Sequence, residues 1–246
     1  NLIIISVLFA LLIYSLIVLK VTNLERSKQD LIKVKSFAEM MVSIKHMFKS
    51  PTNIAIFTYS FFTWGIIMAF AGYWAKSYYV TMHNYSKEFA LSLPEIYWLS
   101  FLVSALIIGF WVKTPKQARK YIISLSILGV IAYLMMITPI LFSYSLLVLI
   151  TILSGISASG VILAFFIIQH IVTNEEKGLA ISINNLFIVL GGMVGQLSFS
   201  KAISFNFDNF FMLSDSVNSF FYSGIVMLTI WAVLALTAIL FVIKKI

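Results

Sequence analysis

Apolar segments long enough to cross a lipid bilayer recur along this chain of 246 residues. A spanning helix needs about 20 mostly apolar residues, and lipid offers no hydrogen-bond partner to an open backbone. Seven segments approach or exceed that length: 2–19, 52–75, 96–112, 121–141, 145–171, 179–203 and 219–243. The sequence therefore predicts an all-α, polytopic membrane protein with seven transmembrane helices.

The composition supports a membrane protein and argues against an enzyme. Hydrophobic residues make up 61% of the chain and charged residues 11%, which exceeds what a soluble domain needs. Cysteine is absent, the three histidines are scattered, and the acidic residues fall almost entirely in connectors. Because no nucleophile with a base, paired carboxylates or metal-ligand cluster is visible, we expect no catalytic site, no cofactor and no metal.

Positive charge predicts the orientation of the chain in the membrane. All but three of the 17 basic residues lie on alternate connectors, namely 20–51, 113–120, Lys177 and the C-terminus. Lys and Arg concentrate on cytoplasmic loops, so we expect a cytoplasmic C-terminus. The net charge of +8 is then explained by contact with anionic lipids of the inner leaflet, and nucleic-acid binding is not needed as an explanation.

Three connectors carry patterns of their own. In the linker 20–51, apolar residues recur at helical spacing over 37–48, which predicts an amphipathic helix on the cytoplasmic membrane surface. Ser50-Pro51 marks the start of the next span. Aromatic residues crowd the connectors after the second span and before the last, where we expect them to anchor at headgroup depth.

This order of elements resembles the second part of a twelve-helix transporter of the major facilitator superfamily. The resemblance implies that 1–19 is the sixth transmembrane helix, 20–51 the cytoplasmic linker and 52–246 the C-terminal six-helix bundle. Residue 1 is Asn, inside an apolar run, and we expect five further spans upstream. The missing N-terminal six-helix bundle would then be the partner of this one.

Two stretches carry the resemblance at the level of residues. "GFWVKTPKQARK", 109–120, resembles the family's loop signature at Gly109, Arg119 and Lys120, but Lys113 replaces the usual acid. The stretch 154–196 resembles the tenth and eleventh helices of facilitators of intracellular bacterial pathogens; the matching residues are Gly155, Phe165, Gly178, Asn185, Gly191, Gly192 and Gln196. The resemblance implies a small polar solute, such as an amino acid or nucleoside, and the bacterial inner membrane.

Amide side chains inside the apolar span 179–203 need partners. At 100° per residue, Asn185 and Gln196 share one stripe with Ser182, Gly192 and Ser200, whereas Asn184, Gly191 and Gly195 lie on another side. The Gly-x-x-x-Gly spacing predicts a close contact with a neighbouring helix, across which Asn184 would hydrogen-bond. Asn185 and Gln196 either bond to another helix or face a water-filled solute path.

Other spans supply further candidate solute ligands: Tyr59, Thr63, Trp74, Ser154 and Ser157. The hydroxyls either contact solute or bond back to carbonyls of their own helix, and Trp74 either walls the site or anchors at the interface. Spans 121–141 and 219–243 hold only scattered Ser, Thr and Tyr, so we expect them to be peripheral.

Polar residues at the cytoplasmic end are candidates for gating or loop contacts: Arg119, Lys120, His170, Glu175 and Glu176. Each is alternatively a solvated residue at a helix end or turn. No charged residue lies in the middle of a predicted span, so either the solute moves by facilitated transport or coupling resides in other sequence.

These features together predict a secondary transporter that works by alternating access. The alternatives are a seven-helix receptor or sensor, and a permease-like subunit that does not transport. A retinal-type sensor is disfavoured because the last span has no lysine in its middle.

Overall fold

The computed structural model describes residues 36–83, 85–137, 143–204 and 219–243. Six helical segments within these ranges are long and apolar enough to cross a membrane: Pro51–His83, Lys87–Trp111, Pro115–Ile137, Tyr144–Ile171, Lys177–Ser204 and Phe221–Phe241. The predicted first span 2–19, the first half of the linker and most of the second aromatic connector lie outside the described residues. Six of the seven predicted spans are therefore found as helices.

Contacts divide the chain into two compact units, residues 1–42 and 43–246. Of the first unit, the structure describes residues 36–42. The helices of the described residues are α1 (Phe37–Lys49), α2 (Pro51–Ala69), a π-helical turn (Phe70–Trp74), α3 (Ala75–His83), α4 (Lys87–Trp111), α5 (Pro115–Ile137), α6 (Tyr144–Ala158), α7 (Gly160–Ile171), α8 (Lys177–Ser204) and α9 (Ser219–Ile243).

Side-chain caps fix where the first two helices begin. The amide N–H of Ser36 donates to Oε2 of Glu39 at 2.7 Å, and the N–H of Glu39 donates to Oγ of Ser36 at 3.3 Å. This reciprocal pair satisfies backbone donors that the first turn of α1 leaves without helical partners. Ser50 caps α2 with a single bond, its hydroxyl accepting from the amide N–H of Asn53 at 3.4 Å, and Pro51 occupies the first position of the helix. The predicted helix in the linker and the predicted start at Ser50-Pro51 are both confirmed.

Most of the predicted connector 76–95 is helical, so its predicted bounds are wrong. The helix of the second span continues through the π turn and α3 to His83, a stretch of 33 residues. Tyr78 and Tyr79 on α3 are 1% and 0% exposed. The hydroxyl of Tyr79 bonds to Thr151 at 2.9 Å, so these rings pack inside the bundle and do not anchor at its edge.

The third span also begins earlier than predicted. Ser86 caps α4 by accepting from the N–H of Phe89 at 3.3 Å, and the helix continues past Pro94. A proline inside a transmembrane helix is tolerated where surrounding groups satisfy the freed backbone atoms. As a result, Glu95 lies about two turns into an apolar helix and is exposed on its surface, although the sequence had placed it in a connector.

The basic loop 109–120 is mostly helical. Only Val112–Thr114 separate α4 from α5. The side-chain oxygen of Gln117 accepts from the amides of Lys113 and Thr114 at 2.9 and 3.2 Å, which closes a tight turn before Pro115. The fourth span therefore starts at Pro115 and not at 121, and Arg119 and Lys120 belong to a helix.

The predicted span 145–171 is interrupted at Ser159. Its side chain donates to the carbonyl of Ile156 at 2.6 Å, and its hydroxyl is 2.8 Å from that of Ser104 on α4. Side-chain bonds that compete with the helical ladder are a known cause of local bending. Gly160 follows, and a Cβ there would collide with the hydroxyl of Tyr59.

The helices form one bundle in which α2 and α8 make the most extensive contact, while α9 packs against α2, α5 and α8, and α4 packs against α6. Within the most apolar part of each span, 67% of the α2–α3 segment is buried but only 17% of α4. The corresponding share is 39% for both α5 and α9. The two spans expected to be peripheral are therefore less exposed in this bundle than α4, because α9 bridges α2 and α5.

Candidate functional site

Glycines allow α2 and α8 to touch backbone to backbone. A Cβ on Gly195 would lie 2.7 Å from the carbonyl carbon of Gly65, and one on Gly191 would lie 2.8 Å from that of Phe61. Real Cβ atoms essentially never approach other atoms below 3.0 Å. The predicted role of the Gly191-x-x-x-Gly195 spacing in close helix packing is confirmed. The residue numbers of the paired positions increase together along both helices, so α2 and α8 run in the same direction.

Asn184 lies in the interior of the bundle, with 0% of its surface exposed. Within the described residues, neither its side-chain nitrogen nor its side-chain oxygen has a hydrogen-bond partner. The expectation that this amide bonds across the helix contact is therefore wrong. The two backbones are in van der Waals contact, but no hydrogen-bond donor or acceptor reaches the Asn184 amide.

Asn185 and Gln196 lie on the other stripe of α8, as expected from their spacing. Asn185 is exposed and Gln196 is partly buried. The Gln196 side-chain nitrogen donates to the backbone carbonyl of Met68 at 3.5 Å, two residues before the π turn. The single long bond leaves the other polar atoms of these two amides available to a ligand.

Trp74 ends the π turn. Its ring stacks on Phe199 of α8 with ring centroids 5.7 Å apart. The indole nitrogen is buried and has no partner within the described part of the chain. Short π segments occur often at functional sites, because their wider turn shifts a side chain out of helical register.

Tyr59, Thr63 and Ser157 line one small cavity inside the bundle. Its volume is about 30 Å³, far below the roughly 300–1,000 Å³ of ordinary ligand pockets. Ser154 lies nearby in α6, is fully buried, and donates to the carbonyl of Ile150 at 2.9 Å. Ser157 donates to the carbonyl of Ser154 at 2.8 Å. Both serines thus make the back-bonds that were the alternative to solute contact.

Three cavity residues were not identified from the sequence: Tyr97, Ser126 and Tyr133. Ser126 and Tyr133 were counted among the scattered polar residues of a peripheral span. The signal was their spacing, since Ser126, Gly129 and Tyr133 recur at i, i+3 and i+7 on one face of α5. Tyr97 was overlooked because it lies next to residues 76–95, which were interpreted as a connector.

The gating candidates lie at the end of the bundle where α5 and α8 begin. His170, in the last turn of α7, bonds through Nδ1 to the carbonyl of Phe166 at 2.7 Å. Glu175 is exposed in the turn before α8. Glu176 lies 3.5 Å from Nδ1 of His46 on α1 and accepts from the hydroxyl of Thr173 at 3.2 Å. The linker helix, which sequence reasoning had not connected with this turn, thus contributes a polar contact.

Lys120 is exposed on the second turn of α5, and Arg119 beside it is partly buried. Across residues 36–83, 85–137, 143–204 and 219–243, no three His, Asp or Glu side chains lie close enough to hold a metal ion.

Comparison with known proteins places this architecture in a family. No curated protein matches the chain. The family model described as Major Facilitator Superfamily matches residues 2–196, which is most of the chain and includes five of the six helical spans completely or in large part. This match agrees with an integral, multi-pass membrane protein built from apolar helices. The chain belongs to the major facilitator superfamily, a family of membrane transporters.

Proposed function

We propose that the protein carries a small polar solute across the membrane by alternating access, with the Asn185/Gln196 stripe of α8 facing the solute path. Family membership supports transport, and the positions of the two amides support the path. Amino acids, nucleosides and similar metabolites are the solute classes that we favour, because amides offer neutral donors and acceptors to such molecules.

The proposal rests on how deep the two amides lie in the membrane. They are eleven residues apart on a helix of 28 residues, Lys177–Ser204. Asn185 and Gln196 therefore lie about 8 Å on either side of the helix midpoint, at 1.5 Å per residue. The hydrocarbon core of a bilayer is about 30 Å thick, so with α8 centred in the bilayer both amides would lie within it.

Burial distinguishes Asn185 from its neighbour. Asn184 is enclosed by the bundle, whereas Asn185 is exposed on the bundle surface. A polar side chain exposed to acyl chains is costly, and such residues usually face a wet cavity or another helix. A second six-helix bundle of the transporter would supply the opposite wall of that cavity. Gln196, on the same stripe as Asn185, would form part of its inner surface.

The first experiment identifies the solute class. Purified protein is heated in the presence of amino acids, ribonucleosides, sugars or organic acids, each class separately. A solute present at 100 times its dissociation constant stabilises the folded state by about 2.7 kcal/mol. For a domain of this size, that corresponds to a rise in melting temperature of about 5–10 °C. Uptake of the radiolabelled stabilising solute is then measured in proteoliposomes.

The second experiment tests the stripe. Asn185→Ala and Gln196→Ala are each expected to weaken the apparent affinity for that solute at least tenfold, which corresponds to about 1.4 kcal/mol. Both the stabilisation by the solute and its uptake should fall as a result. Asn184→Leu is the matched control, because it removes the adjacent amide that faces the bundle interior. Membrane insertion is measured for all three variants. If both Ala variants took up the solute as well as the wild type does, the proposal would be wrong and Asn185 and Gln196 would serve only in packing.

A further inference from the structure

A small cavity lies where five helices of the bundle meet. Its volume is about 30 Å³, and every residue that lines it is buried. The polar lining residues are Tyr59 and Thr63 of α2, Tyr97 of α4, Ser126 and Tyr133 of α5, and Ser157 of α6. Apolar residues of α2, α5, α6 and α9 complete the wall. A space that can hold a water needs about 10–15 Å³ by this measure, so the cavity has room for about two.

Two of the hydroxyls that face this space lack partners. The phenol oxygens of Tyr97 and Tyr133 are buried, and within the described residues neither has a hydrogen-bond partner. The two side chains are neighbours, since each affects the other electrostatically. Their hydroxyls are therefore close enough to interact, although neither meets the distance and angle of a direct hydrogen bond.

The serines of the cavity supply the complementary groups. Ser126 donates its proton to the carbonyl of Ile122 at 2.6 Å, and Ser157 donates to that of Ser154 at 2.8 Å. Each serine hydroxyl then presents lone pairs, which accept, and has no second proton to give. The phenols can donate. A molecule that both accepts and donates would satisfy both kinds of group.

We propose that this cavity is a hydration site, in which two water molecules bridge the hydroxyls of Tyr97 and Tyr133 to those of Ser126 and Ser157. Water fits the volume and the mixture of donors and acceptors. A metal cation does not fit, because the lining residues include no carboxylate to offset the cost of burying its charge. This site is separate from the proposed solute stripe on α8 and does not depend on it.

Radiolytic labelling of the wild-type protein tests the proposal without any mutation. Hydroxyl radicals formed from bound water modify the side chains next to that water, even inside a protein. Tyr78 and Tyr79 are the internal controls, because they are equally buried but bond to the carbonyl of Met136 at 3.4 Å and to Thr151 at 2.9 Å. We expect Tyr97 and Tyr133 to be modified several times faster than the controls. Equal, low modification of all four would overturn the proposal.

Phenylalanine substitutions give a second readout with opposite signs for a wet and a dry cavity. Around bound water, Tyr97→Phe and Tyr133→Phe each remove a bond and are expected to lower the melting temperature by about 2–4 °C. In a dry cavity, each substitution would remove an unpaired polar atom and leave the melting temperature unchanged or raise it. Either of these results would contradict the proposal. The wild type is also heated in sodium chloride and in choline chloride. Stabilisation that requires sodium would overturn the proposal by identifying an ion as the occupant.

Discussion

Substituting alanine for Gly195 tests whether the backbones of α2 and α8 touch. The added methyl group would lie 2.7 Å from the carbonyl carbon of Gly65 and 2.8 Å from its Cα. Carbon atoms in favourable contact are about 3.5–4.0 Å apart. The obstacle is main chain, which cannot rotate away as a side chain does, so the helices must separate by about 1 Å at this level.

Separation of these helices should be costly because they make the largest contact in the bundle. Overpacking of a well-packed site costs about 1–3 kcal/mol. Each kcal/mol corresponds to about 2–4 °C for a domain of this size, so we expect Gly195→Ala to lower the melting temperature by about 5 °C. Unfolding is followed by intrinsic tryptophan fluorescence in detergent, since Trp64, Trp74 and Trp231 lie near the contact.

Gly178→Ala is the matched control on the same helix. A Cβ there meets nothing within 4 Å, and alanine favours a helix more than glycine does. We expect its melting temperature to equal or slightly exceed that of the wild type. If Gly195→Ala unfolded at the wild-type temperature, the two backbones would not be in contact and the reasoning would fail.

Two further substitutions test individual polar groups. Asn184→Leu should raise the free energy of unfolding by about 1 kcal/mol, since it removes a buried amide that lacks partners; a lower melting temperature would mean that the amide has a partner in the membrane. Tyr79→Phe should lower the free energy of unfolding by about 1 kcal/mol, because it breaks the 2.9 Å bond to Thr151. Thr151→Val removes the other partner of the same bond, so the double variant should lose less than the sum of the two single variants.

Hydropathy and spacing predicted the helices well but their ends less so. The six spans and the cap at Ser50-Pro51 could be read locally, because burial in lipid requires apolar length and because capping depends on adjacent residues. The extension of α3 to His83 and the start of α4 at Lys87 could not. Both segments are polar and aromatic by composition. Packing of Tyr78 and Tyr79 against other helices explains the extension of α3, whereas α4 begins at a local cap, Ser86.

The same division holds for the site. The sequence placed Asn185 and Gln196 on one stripe, apart from Gly191 and Gly195, because the angle per residue is a property of every α-helix. It gave no indication that Asn184 is left without a partner. That outcome depends on which atoms another helix presents across the contact.

What the sequence by itself determined about this protein is its helical membrane character, its candidate spans and the faces of each helix. Apolar length and helical periodicity are local quantities that one chain segment carries alone. The tertiary structure decided that α2 lies against α8, and that hydroxyls from α2, α4, α5 and α6 surround one cavity. These contacts join residues far apart in the chain, and their geometry depends on how closely whole helices can approach.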